Sequence, residues 1–157
     1  MNCPEELGSL LASRSWTLAV SESCTSGLLG HRITSVPGSS EYFLGGIISY
    51  SNTSKVEVLG VPAPVLRKYG AVSESTAMAM ASAVRDHFVA DIGLSTTGIA
   101  GPGGGSEKKP VGTVFIGLAT EMDERFKEFH FKGNRGEIKQ QSVDAALELA
   151  IEFLSEQ

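Results

Sequence analysis

Trp16-Thr17-Leu18-Ala19-Val20-Ser21-Glu22-Ser23-Cys24-Thr25-Ser26-Gly27-Leu28-Leu29-Gly30-His31-Arg32-Ile33 runs from an apolar segment through a polar turn into a helical stripe. The first five residues read as a short buried strand. Leu28, Leu29, Arg32, Ile33 and Val36 recur at helical spacing, and Pro37-Gly38 ends that helix. This strand-turn-helix unit sets the pattern for the rest of the chain. Upstream, Pro4 to Arg14 reads as a helix with proline and acids in its first turn. Downstream, Phe43 to Tyr50 is an extended apolar segment. Asn52 or Thr53 caps a helical turn through Lys55, Val56 and Leu59, and Pro64 to Tyr69 is a helix stopped by Gly70. Ser73 caps a helix whose face is Ala77, Met80, Ala81, Val84 and Phe88, and Asp91 to Thr97 returns to strand. Gly112 to Thr120 and Glu124 to Lys132 read as an antiparallel hairpin. Gly133-Asn134-Arg135-Gly136 opens a last helix with the stripe Val143, Leu147, Ala150 and Leu154. The alternation predicts an α/β protein, a three-layer α/β/α sandwich on a mixed sheet, formed by one domain over residues 1–157.

Composition narrows the function classes. The 157 residues carry a net charge of -5, against the basic excess of a nucleic-acid-binding module. No apolar run approaches the roughly 20 residues of a membrane span. The start Met1-Asn2-Cys3-Pro4-Glu5-Glu6 has no signal-peptide pattern, which predicts a cytoplasmic protein. Cys3 and Cys24 are too few for a disulfide scaffold or a zinc cage. His31, His87 and His130 have no partner at metal-ligand spacing, and no Gly-x-Ser-x-Gly elbow occurs. Glycine is the anomaly: five of the 18 lie between Gly98 and Gly105.

Three segments fall where open α/β sheets gather ligands, at the carboxyl ends of strands. Ser21 to Gly27 offers hydroxyls and a thiol at a helix N-terminus. Cys24 is the nucleophile that thiol chemistry alone would choose, and a plain capping cluster is the competing reading. Tyr50-Ser51-Asn52-Thr53-Ser54-Lys55 contains a lysine that burial would turn into a base, or that water would simply solvate. Thr97-Gly98-Ile99-Ala100-Gly101-Pro102-Gly103-Gly104-Gly105 can form an anion nest or a loose crossover. It matches neither the P-loop nor the dinucleotide template.

Together these segments resemble the CinA C-terminal domain family, whose standalone members include nicotinamide-nucleotide amidase. The resemblance is carried by Ser21 to Gly27, Pro37-Gly38-Ser39-Ser40, Gly45 to Asn52 with Lys55, and Leu59-Gly60-Val61. It continues through Gly70-Ala71-Val72-Ser73, Thr97 to Gly105, Lys109 to Val114 and Gly133-Asn134-Arg135. The family pattern implies a five-stranded, mostly parallel mixed sheet and the standalone form. It also implies hydrolysis of the carboxamide of nicotinamide mononucleotide to nicotinate mononucleotide and ammonia. Ser23 is then the nucleophile, displacing Cys24, and Lys55 is the base, relayed or oriented by Tyr50.

The implied substrate-binding positions are Thr97, Gly98, Gly101, Gly103 and Arg135, with Cys24 and Thr25 beside the nucleophile. Amides at the helix N-terminus after Ser23 are expected to hold the oxyanion. The resemblance calls for no metal and no organic cofactor, and the partner is a phosphorylated nucleotide, with no nucleic acid and no membrane. A homodimer is compatible with it. Ser21 and Ser26 stand where the family usually has alanine and glycine, Asn134 where aspartate is frequent, and Lys139 where a second arginine is common. The alternatives are a non-catalytic nucleotide-binding or interaction module, and an amidase acting on a related amide. The glycine surplus is expected to be backbone shaped around a small ligand.

Overall fold

The computed structural model describes residues 2–157. Five strands form one sheet in the order β2-β1-β3-β4-β5: β1 (Leu18–Glu22), β2 (Phe43–Ile48), β3 (Ile92–Gly98), β4 (Thr113–Ala119) and β5 (Glu124–His130). β1 pairs parallel with β2 and with β3, while β4 is antiparallel to both β3 and β5. All strands but β4 therefore point the same way. The predicted mixed, mostly parallel sheet is present.

Among the described residues six α-helices flank it: α1 (Cys3–Arg14), α2 (Leu28–Thr34), α3 (Asn52–Ser54), α4 (Ala63–Tyr69), α5 (Glu74–Phe88) and α6 (Arg135–Ser155). A π-helical turn, Lys55–Leu59, continues α3. Alternate residues of the strands face two cores. Leu18 and Val20 of β1 pack with Leu7 and Leu11 of α1, Leu29 and Ile33 of α2 and the Val143, Leu147, Ala150 and Leu154 stripe of α6. Ala19 faces the other side, with Leu59, Val61 and the α5 residues Met80 and Val84. That is the expected three-layer arrangement. Among the described residues no helix is long and apolar enough to cross a membrane.

Helix ends follow the sequence signals. Asn2 and Asn134 make reciprocal capping boxes with Glu5 and Glu137, and Ser73 Oγ accepts the Thr76 amide. Two expectations shift. The cap of α3 is Ser51, whose hydroxyl accepts the Ser54 amide at 3.0 Å, instead of Asn52 or Thr53. β1 begins at Leu18 and continues through Ser21 and Glu22, because both residues pair with β2 and with β3. The two-sided ladder overrides their low strand propensity, and it carries Ser23 to the edge of the sheet.

Part of the glycine surplus has a packing cause. A Cβ on Gly93 would collide with the carbonyl oxygen of Ala81, and one on Gly117 with that of Ala77. Both glycines let α5 lie against β3 and β4 through its alanines, with Ser95 Oγ donating to Ala77 O at 2.6 Å. A methyl there has no flexible neighbour to displace. Gly93→Ala is expected to lower stability by about 1–3 kcal/mol in urea denaturation, the usual range for overpacking.

Candidate active site

β1, β2 and β3 run parallel and end at one edge of the sheet, where their carboxyl ends deliver the three segments singled out in the sequence. Ser23 follows β1, and its amide donates to Thr96 O of β3 at 3.0 Å. Tyr50 and Ser51 follow β2. Thr97 and Gly98 close β3 and lead into the glycine loop.

Lys55 begins the π turn, whose width is seen in the amides of Gly60 and Val61 both donating to Lys55 O. Its side chain runs inward and is only 1% exposed. The amine Nζ lies 2.9 Å from Ser23 Oγ, 2.7 Å from Ser49 O and 3.0 Å from Tyr50 O. An ammonium donates to all three. A neutral amine has two N–H bonds for the two carbonyls, which can only accept, and keeps its lone pair for the Ser23 hydroxyl. The same contacts therefore suit both protonation states. Burial lowers the Lys55 pKa to about 8. From about pH 8 up to the ordinary lysine value, the unfolded chain holds a proton that the folded site has released, so stability from this group rises with pH.

Cys24 presents the opposite case. Its thiol is buried, and desolvation pushes its pKa up to about 12. Lys55 pulls in the other direction too weakly to offset burial. Cys24 is a buried thiol beside Ser23.

These groups line a cavity of about 280 Å³. Ser23, Cys24, Tyr50 and Lys55 line it together with Thr97, Gly98, Gly101, Gly103 and Arg135. Arg135 bridges the mouth, donating to Gly101 O at 2.7 Å and to the Tyr50 phenol at 3.2 Å. Lys55 and Arg135 are the charged residues of the lining, so the cavity is cationic although the chain is acidic overall. The amides of Ala100, Gly101, Gly103 and Gly104 have no acceptor among the described residues.

Four site expectations change. Thr25 is not at the cavity: it is fully buried, with its hydroxyl donating to Glu22 Oε1 at 2.6 Å. The Thr97 hydroxyl is engaged with Ala71 O at 2.8 Å, so it holds the cavity wall. The Tyr50 phenol bonds Arg135 and makes no hydrogen bond to Lys55 or Ser23; the contribution of Tyr50 to the lysine is its carbonyl. The amides of Leu29 and Gly30 at the start of α2 donate to Glu22, which narrows the expected oxyanion donors to the amides between Ser23 and Leu28. Ala71 and Val72 line the cavity without having been assigned a site role from sequence. Their stretch, Gly70-Ala71-Val72-Ser73, was the available signal. Among the described residues no group of three His, Cys, Asp or Glu is placed to hold a metal ion.

A family model described as the CinA C-terminal domain matches residues 2–154. The chain belongs to that family. A CinA-like protein of Chlorobium limicola is 50% identical over 157 residues, covering 97% of this chain and 37% of its own length. The chain spans a little over a third of the curated relatives it matches. Two solved CinA relatives share the fold across nearly their whole length. The competence-damaged protein (CinA) superfamily protein of Klebsiella pneumoniae 700603 has a TM-score of 0.93 at 28% identity, with 100% of both chains covered. The competence/damage inducible protein CihA of Agrobacterium tumefaciens has a TM-score of 0.90 at 34% identity, covering 99% of this chain and 97% of that one. In this CinA domain, treatment of the folded protein with iodoacetamide at pH 8 is expected to alkylate partly exposed Cys3 and spare Cys24, read by mass spectrometry; unfolding in urea should expose both.

Proposed function

We propose that this CinA domain is a serine amidohydrolase that removes ammonia from the carboxamide of nicotinamide mononucleotide and leaves nicotinate mononucleotide. The observation that carries the reading is the buried amine of Lys55 at 2.9 Å from Ser23 Oγ, with its other two contacts taken by carbonyls. A binding module has no need to desolvate a lysine against a serine hydroxyl, because burial of the amine opposes folding at neutral pH.

Neutral Lys55 accepts the Ser23 proton as Oγ attacks the amide carbon. The oxyanion forms beside the new ammonium and the unpaired amides of the glycine loop. When the tetrahedral adduct collapses, Lys55 returns the proton to the departing nitrogen, and ammonia leaves a nicotinoyl ester on Ser23. Water, deprotonated by Lys55, then hydrolyses the ester. The N–H groups of Arg135 that are not engaged with Gly101 and Tyr50 are the charge-assisted donors suited to the substrate phosphate. Free nicotinamide lacks that anion, so the arginine favours the nucleotide.

Ammonia release from nicotinamide mononucleotide, compared with free nicotinamide, tests the reading; a folded protein that turns over neither would overturn it. Ser23→Ala and Lys55→Met should each reduce turnover by about 10³-fold or more, while Cys24→Ser retains most of it. Arg135→Met is expected to raise KM for the nucleotide by roughly 10–100-fold with a smaller effect on kcat, the scale of a charged hydrogen bond. The rate should climb with pH and level off above about 8, since only the neutral amine can take the serine proton.

A further inference from the structure

Glu22 is the last residue of β1, adjacent in sequence to Ser23 and only 3% exposed. Its carboxylate does not line the cavity. Oε1 accepts the Thr25 hydroxyl at 2.6 Å and the Leu29 amide at 2.8 Å, and Oε2 accepts the Gly30 amide at 3.1 Å. An ionised carboxylate only accepts, so the direction of the adjoining bonds follows. Thr25 gives its hydrogen to Glu22. The 2.7 Å contact between the Thr25 and Thr96 hydroxyls is therefore donated by Thr96. Ser23 sits between these anchors, with its own amide on Thr96 O. The turn carrying the nucleophile is thus tied at one side to α2 and at the other to β3, and Glu22 is the acceptor on which both ties end.

We propose that Glu22 is a positioning residue for Ser23: its buried carboxylate, through Thr25 and the first amides of α2, fixes the turn that holds Ser23 Oγ within reach of the Lys55 amine. The inference rests on the reading of Ser23 and Lys55 as nucleophile and base. The second role of the carboxylate is electrostatic. By occupying the Leu29 and Gly30 amides it closes the N-terminus of α2 to other anions, so a bound phosphate is directed to Arg135 and the glycine loop. Glutamine cannot replace it. Its amide nitrogen is a donor that would face a main-chain N–H or the Thr25 hydroxyl, leaving at least one of the three donors without a partner.

The test measures two rates on wild type, Glu22→Gln, Thr25→Val and Thr25→Ser, with folding followed by circular dichroism and thermal melting. One is turnover of nicotinamide mononucleotide as a function of substrate and pH. The other is labelling of Ser23 by an alkyl fluorophosphonate, read by mass spectrometry, which does not depend on the substrate's identity. Folded Glu22→Gln should lose about 100-fold in kcat and in labelling rate with KM within about threefold, the effect of a misplaced nucleophile. Its rate should still rise near pH 8, because the surroundings of Lys55 are untouched; a loosened structure would admit water and move that rise toward the ordinary lysine range. Thr25→Val should fall by about tenfold and Thr25→Ser should stay near wild type, the hydroxyl being what matters.

Folded Glu22→Gln that labels and turns over within about threefold of wild type overturns the proposal, as does a pH rise displaced upward. Should Glu22→Gln not fold, Thr25→Val decides: wild-type rates overturn the proposal, and loss of folding in both assigns the network to stability alone and overturns it too. A wild type that labels at Ser23 without turning over the nucleotide removes the substrate reading while labelling still decides the role of Glu22. Neither labelling nor turnover removes the nucleophile and, with it, the positioning role.

Discussion

A primary amine held away from water is the constraint around which this domain is arranged. The Lys55 ammonium would cost several kcal/mol to desolvate without compensation. The two carbonyls that receive it, Ser49 O and Tyr50 O, belong to the chain leaving β2. Their distance from Ser23 is set by the parallel pairing of β2 with β1, in which Ile48 lies opposite Glu22 and the Ser49 amide donates to Glu22 O at 2.9 Å. The sheet thus sets the gap between Lys55 and Ser23. The π turn then supplies the approach, since its widened first residue brings the lysine in from the flank.

The part of the cavity wall formed by Ala71 and Thr97 is held by side-chain bonds to main-chain carbonyls. Thr97 donates to Ala71 O, Ser73 and Thr76 both donate to Gly70 O, and Lys109 reaches Tyr69 O at 3.2 Å. These bonds secure an irregular segment, Gly70 to Ser73, to β3, to α5 and to the far limb of the glycine loop. The close seating of α5 on Gly93 and Gly117 gives that segment a rigid base. Main-chain groups around the cavity are fixed by the fold, so the amides left unpaired in the glycine loop are available to an anion without first breaking an internal bond.

Much of the fold could be read along the chain, because it is written in local signals: Ser73 before an amphipathic run, Asn134 three residues ahead of Glu137, a hairpin marked by two strand patterns about a short turn. The site was readable in part. Hydroxyls after one strand, a lysine after another and glycines after a third converge because parallel strands end together. What could not be read depends on partners distant in sequence. Glu22 looks like any polar residue until the Thr25 hydroxyl, itself held by Thr96 across the sheet, and the amides of α2 close on it. Gly93 and Gly117 are indistinguishable in sequence from glycines that bend around a ligand; only the approach of α5 reveals their purpose. Tyr50 suggested a phenol acting near the lysine, whereas its carbonyl makes that contact, and backbone roles leave no mark on residue choice.

In the proposed mechanism, position outranks intrinsic reactivity in the choice between Ser23 and Cys24. A thiol is the better nucleophile in water, and the two residues share one turn beside one lysine. Activating Cys24 would require a thiolate and an ammonium to coexist in a dry site, and burial opposes both ions at once. Activating Ser23 on the proposed mechanism asks only for the neutral amine, which the site holds above about pH 8. The hydroxyl and the amine remain neutral partners until attack begins, and charge separates only as the oxyanion appears to balance it. A low-dielectric pocket penalises the first route and strengthens the interactions that support the second. With the Lys55 lone pair directed at Oγ, the proposed mechanism gives the chemistry to the intrinsically weaker nucleophile.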